Sequence, residues 1–163
     1  MSDVNEGLIG DPSESTGRGG AGVWQPELDE LARRESMVEQ MGGPEKVARQ
    51  YDRGKMDVRQ RIDSLVDAGS FHEIGKVSGS ATYGTDGELV DLRSTNFLFG
   101  RARVDARTVV VAADDFTVRG GAADAAIIGK QVAAEKMAGE LRLPIIRLID
   151  GTGGGGSVRT LDT

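Results

Sequence analysis

The segment of this 163-residue chain best suited to chemistry carries almost no reactive side chain. Gly151-Thr152-Gly153-Gly154-Gly155-Gly156 follows directly on the apolar run 144–149. With no Cβ in the way, several backbone N–H groups there can approach a ligand closely. Two of them aimed at one point stabilise an oxyanion, and the start of a following helix adds its partial positive charge. Losing one such donor lowers a rate by on the order of 10²–10³, so the loop can serve enolate chemistry without a catalytic side chain. Two other readings stand beside this one. The first is a plain glycine turn. The second is a dinucleotide loop, since Gly151, Gly153 and Gly156 satisfy the required spacing; a run of glycines does so trivially, and the acidic ribose partner about 20 residues on would fall beyond Thr163. A phosphate loop ending in Gly-Lys-Ser/Thr is not present.

Other constellations are poorer. There is no cysteine and a single histidine, His72, which excludes a thiol nucleophile, a zinc–thiolate site and a multi-histidine metal centre. Asp114 and Asp115 are adjacent, and neighbours on a strand point to opposite faces, so a strand-end turn fits them better than an acid pair. Ser157 has no histidine partner in view, so a Ser-His-Asp triad is poorly supported, and His72 reads as structural. Arg101, Arg103 and Arg107 read as a solvated face or a subunit contact. The net charge of −6 argues against non-specific nucleic-acid binding, and any anionic ligand must be held by a local patch. No apolar run reaches the roughly 18–20 residues that span a bilayer. The first 22 residues lack the basic and apolar regions of a signal peptide and are too acidic for a transit peptide. A cytoplasmic chain is expected, with neither membrane nor nucleic acid among its partners.

The elements that must position these residues follow from periodicity. Residues 1–23, rich in glycine, serine and acid, read as a disordered tail, and 24–163 as one folded unit. Leu28, Leu31, Val38 and Met41 recur at helical spacing, and Gly42-Gly43-Pro44 stops that helix. A short second helix spans 44–51. A third begins after Asp57, where Gln60 completes a capping box; Ile62, Leu65 and Val66 form its buried stripe, and Gly69 ends it. Residues 71–77 read as a strand and 78–93 as a mobile loop. Residues 95–104 and 108–113 form a hairpin, 122–141 an alanine-rich helix and 144–149 a strand. A helix between two strands is a crossover, so the flanking strands should be parallel.

Three stretches together resemble the carboxyltransferase subunit of biotin-dependent acyl-CoA carboxylases, the propionyl-CoA and methylcrotonyl-CoA group. They are Gly54-Lys55-Met56-Asp57-Val58-Arg59-Gln60-Arg61-Ile62 with Asp67-Ala68-Gly69-Ser70-Phe71; Phe99-Gly100-Arg101 with Asp115-Phe116-Thr117-Val118 and Gly120-Gly121; and Lys130, Pro144-Ile145-Ile146 and Asp150 ahead of the glycine run. The resemblance covers about 24–163. It implies an α/β crotonase-like (ClpP-like) superhelix of strand-strand-helix units, here incomplete and preceded by N-terminal helices. It also implies transfer of CO2 from carboxybiotin, borne by a partner carrier, to the α-carbon of an acyl-CoA. The thioester enolate would be held by backbone N–H groups of Gly153, Gly154, Gly155 and Gly156. Arg59 and Arg61 become first candidates for CoA phosphates and Lys130 a further CoA contact, with surface ion pairs as the plain alternative for the two arginines. Implied partners are biotin carboxylase and biotin carrier subunits and further copies of the same subunit. The family loop reads Asp-Ser-Gly-Gly; here an ungapped match places Thr152-Gly153 at the Gly-Gly pair, and a two-residue insertion places Gly153-Gly154 there. The family subunit is a much longer two-domain chain, so this one is expected to be a portion of it, inactive alone. Another CoA-thioester enzyme of the same superfamily, a decarboxylase or hydratase, and a non-catalytic assembly piece are the alternatives.

Overall fold

The computed structural model describes residues 22–122 and 127–151. Within them the order is α1 (Gln25–Glu39), α2 (Pro44–Asp52), α3 (Val58–Leu65), β1 (His72–Glu73), β2 (Gly79–Tyr83), β3 (Leu89–Ser94), β4 (Phe97–Val104), β5 (Arg107–Asp114), a 3₁₀ turn (Arg119–Gly121), α4 (Ile128–Leu141) and β6 (Ile145–Leu148). One sheet runs β1-β4-β5-β6 and a second pairs β2 with β3. The β5–β6 pair is parallel, as the crossover requires. Among the described residues no helix is long and apolar enough to cross a membrane.

The central hairpin β4–β5 carries the core because its side chains alternate at period two. Leu98, Ala102, Val109, Val111 and Ala113 face Val58 and Ile62 of α3. Phe97, Phe99 and Ala112 face Ala134 of α4 on the other side. The alanines of α4 have no bulk at the contact, so the helix can lie close to the sheet. The hairpin turns on Asp105 and Ala106, both in the left-handed region (φ 49° and 62°), as two-residue hairpin loops demand. Neither is glycine; the Asp67 carboxylate compensates by accepting from both N–H groups at 3.0 and 2.9 Å.

α3 starts as its sequence predicts. The Asp57 carboxylate accepts from the Gln60 N–H at 2.9 Å, and the Gln60 side chain accepts from the Asp57 N–H at 3.2 Å. Three expectations are corrected. Residues 78–93 form the β2–β3 hairpin instead of a loop, because Leu89 and Leu92 bury against Val38 of α1. Their spacing of three, with a register shift at Thr82/Tyr83, breaks the alternation that marks a strand. The strand expected over 71–77 shrinks to His72–Glu73, since Gly75 turns the chain at φ +64°. The helix expected from 122 begins at Ile128. Ala122 instead lies buried in extended backbone, its carbonyl accepting from Asn96 Nδ2 at 2.6 Å.

Candidate functional site

The run-up to the glycine loop emerges at the carboxyl ends of the parallel strands β5 and β6. In open α/β sheets that edge is where diverging loops leave ligand crevices. Its geometry is fixed by two devices. Arg61 of α3 reaches across, donating to the carbonyls of Asp114 at 3.4 Å and Ile149 at 3.3 Å, and lies 3.8 Å from the Asp150 carboxylate. Gly121, at φ +68°, packs so tightly that a Cβ there would sit 2.2 Å from the Asp150 carbonyl oxygen. Lys55 adds a second cation 3.8 Å from Asp150. Burial pushes the Asp114 carboxyl above the usual range, with Arg147 and Arg61 among the groups opposing it. The expected oxyanion donors Gly153, Gly154, Gly155 and Gly156 and the candidate Ser157 lie outside the described residues.

The three cations expected to hold CoA do not gather at one place. Residues 59 and 61 are about 200° apart around a helix, so α3 sends its arginines to opposite sides. Arg61 goes to the β6 end. Arg59 donates to Glu73 at 2.9 Å, a carboxylate whose side chain is only 9% exposed. Lys130 is buried beside the same group; desolvation lowers its pKa, the charge of Glu73 opposes this, and Arg59 adds to it. Next to them Asp115 is fully buried. It accepts from the Thr117 N–H at 2.8 Å and hydroxyl at 2.6 Å, and burial raises its pKa. Asp115 thus serves the strand-end turn, as its sequence position suggests. Its second oxygen and the Arg59 Nε are buried polar atoms with no hydrogen-bond partner among the described residues. His72 is exposed at the start of β1.

A further basic feature escaped the sequence reading. Lys46, Arg49 and Arg53, with the buried Gln50 between them, line a cleft of about 200 Å³ against Phe116, Thr117, Arg119 and Gly120. Among the described residues its lining holds four cations and no carboxylate. The signal was present, since spacings of three and four place Lys46, Arg49 and Arg53 on one helix face. A chain of net charge −6 drew no attention to it. The opposite wall is held by the α1–α2 corner: the Gly42 N–H donates to Thr117 Oγ1 at 2.9 Å, and a Cβ on Gly42 would sit 2.1 Å from the Thr117 carbonyl oxygen.

Comparison with known proteins adds to this geometry. A family model described as the carboxyl transferase domain matches residues 49–160. The propionyl-CoA carboxylase carboxyltransferase subunit of Haloferax mediterranei is 34% identical over 126 residues, 77% of this chain and 24% of that protein. The methylmalonyl-CoA decarboxylase alpha subunit of Propionigenium modestum is 33% identical over 128 residues, 77% of this chain and 24% of that protein. Among solved structures, the transcarboxylase 12S hexamer with methylmalonyl-coenzyme A and methylmalonic acid bound superposes with a TM-score of 0.66. It is 27% identical, with 78% of this chain and 25% of that one covered. The chain spans about a quarter of the length of these relatives.

Proposed function

The chain belongs to the carboxyl transferase domain family, and from that premise we propose that it carries the acyl-CoA side of a biotin-dependent carboxyl transfer. Its α/β fold matches solved carboxyltransferases. The observation that carries the reading is the clamped edge at Asp150. Arg61 and Gly121 fix where the chain leaves β6, so the glycine run starts from a rigid point at the carboxyl end of a parallel pair. Backbone N–H groups in 153–156 then donate to the thioester oxygen and stabilise its developing negative charge, as an oxyanion hole does. Biotin would reach such a site as cargo on a carrier protein; when carboxylated it would supply CO2 to the acyl α-carbon and take up the α-proton on the nitrogen that CO2 leaves. A biotin carrier, a biotin carboxylase and further copies of the subunit are the proposed partners.

The resemblance to a decarboxylase subunit supports a second direction for the same chemistry, because an enolate held in one place serves both addition and loss of CO2. Both readings require the loop amides, and titration calorimetry tests them. Propionyl-CoA is expected to bind the chain more tightly than CoA. Gly153→Pro combined with Gly154→Pro, which removes two N–H donors, is expected to abolish that difference and leave CoA binding in place. An undiminished preference for the thioester in the double variant would overturn the assignment.

A further inference from the structure

We propose that Asp114 is a positioning residue of the carboxyl-transfer site: its carboxylate, with Arg147 as counter-charge, accepts from the Asp150 N–H and fixes the peptide that leads into the glycine run. The inference deepens the proposed function and rests on it for the thioester, although the contacts themselves do not. Register is the first argument. The parallel β5–β6 ladder ends at Ala113 and Leu148, so the Asp150 N–H lies beyond the last strand partner. A backbone N–H taken from water needs an acceptor. The Asp114 carbonyl is engaged by Arg61 at 3.4 Å, and it is the Asp114 side chain that accepts from the Asp150 N–H. A side chain thus takes over where the backbone ladder stops, next to the contact of Gly121 with the Asp150 carbonyl.

Charge is the second argument. Ala112 pairs with Arg147 across the ladder, and Asp114, two residues on, shares the face of Ala112. Arg147 Nη2 comes to 3.8 Å from Asp114 Oδ1. The guanidinium is itself held, 5.0 Å from the centre of the Phe97 ring and 4.0 Å from Glu135 of α4. The Asp114 side chain is only 15% exposed. The groups that face it are Arg147 from β6, Arg61 from α3 and Asp150. Lys55 sits beyond Asp150, and Glu135 beyond Arg147. Burial pushes the Asp114 pKa up and the Asp150 charge adds to this, while Arg147, the Asp150 N–H and Arg61 oppose it. Above that raised value the ionised carboxylate holds both partners; protonation below it removes the charge that Arg147 and the amide answer. An oxyanion donor must be in place before negative charge develops, and a small misplacement lowers the rate heavily. The influence of Asp114 on the reaction passes through Asp150.

Amide hydrogen exchange and nitrogen–proton NMR on the 163-residue chain read the contact directly. In Asp114→Ala the Asp150 N–H is expected to exchange at least about fivefold faster, as loss of one hydrogen bond implies. Asp114→Asn keeps a side-chain carbonyl as acceptor and is expected to restore protection to within about twofold of the parent. In the parent the Asp150 amide signal is expected to show a titration step above the ordinary carboxylate range, absent in Asp114→Asn. Arg147→Gln, which keeps the carboxylate, is expected to move that step to still higher pH, because an opposing charge is gone; it also carries the test if Asp114→Ala fails to fold. Unchanged Asp150 exchange in Asp114→Ala, no rescue by asparagine, a step that persists in Asp114→Asn or one that stays in place in Arg147→Gln would each overturn the proposal. Titration calorimetry reads the functional arm. The preference for propionyl-CoA over CoA is expected to fall at least about fivefold in Asp114→Ala and to return in Asp114→Asn, with CoA affinity unchanged. A preference preserved although the Asp150 amide is freed overturns the positioning role, as does a lower melting temperature with no loss of preference. If the parent itself shows no preference, the oxyanion reading has failed and the positioning role with it, whereas the contact between Asp114 and Asp150 stands or falls on the NMR results.

Discussion

Helices α2 and α3 carry the same kind of cargo and use it in opposite ways. Each is short and rich in cations, but α2 lines them on one face while α3 sends Arg59 and Arg61 to opposite sides. On α3 the arginines are consumed by the protein: Arg59 pairs with the mostly buried Glu73 carboxylate, and Arg61 ties the end of β5 at Asp114 to Ile149 and Asp150 just after β6. On α2 they line a cleft with no acid among its described lining residues. The difference lies in what the rest of the fold brings near. α3 packs on the sheet through Val58 and Ile62, so its polar flanks meet strand ends and buried carboxylates. α2 covers a concave corner whose opposite wall offers an aromatic ring, backbone and another arginine.

That contrast can be broken in three further ways. The largest effect is expected from Arg59→Met, which removes the hydrogen-bonded partner of the Glu73 carboxylate and leaves it the nearby Lys130 charge. Breaking a buried pair costs about 3–5 kcal/mol, and the 28% exposure of Arg59 together with the remaining lysine brings the expectation to about 2–3 kcal/mol, read by urea unfolding. A loss below roughly 1 kcal/mol, the value of a surface pair, would mean the pair is solvated. Next comes a matched pair of substitutions. Arg61→Met is expected to cost about 1–2 kcal/mol through its lost hydrogen bonds, while Arg53→Gln should stay within about 0.5 kcal/mol, as surface changes do. Equal losses in the two variants would erase the distinction between the helices.

The smallest effect is a slope. The Asp115 carboxyl titrates above the usual range in the folded chain because burial disfavours its charge. The folded state therefore binds this proton more readily than the unfolded state. The penalty of holding the ionised form is present at neutral pH and is relieved as pH falls through the raised value. Asp115→Asn should remove this gain on mild acidification, leaving stability less favoured by acid than in the parent. Unfolding curves from neutral pH down to the ordinary carboxylate range measure it, and parallel curves for parent and variant would refute it.

Local signals in the sequence were reliable where neighbours along the chain do the work. The Asp57–Gln60 capping box, the β4–β5 hairpin and the parallel pairing across α4 all follow from residues a few positions apart or from a repeated period. The ordered motifs from Gly54 to Asp150 carried the family, and the family match confirms it. The hairpin β2–β3 was not legible. Leu89 and Leu92 acquire meaning only against Val38, some fifty positions earlier, and their spacing mimics no strand.

The arginine partners show where sequence stops and tertiary structure begins. The sequence by itself settled which residues could carry positive charge, which could supply bare amides, and where the capped helix α3 and the β4–β5 hairpin would form, because those depend on side-chain chemistry and short-range geometry. It could not decide which cation is spent. Arg61 finds the Ile149 carbonyl 88 positions away and Arg59 finds Glu73 across an intervening strand boundary, while Lys46, Arg49 and Arg53 meet Arg119 around a cleft. An ion pair is a matter of a few ångströms, and only the packing of α2, α3 and the sheet brings residues so far apart in the chain within that distance.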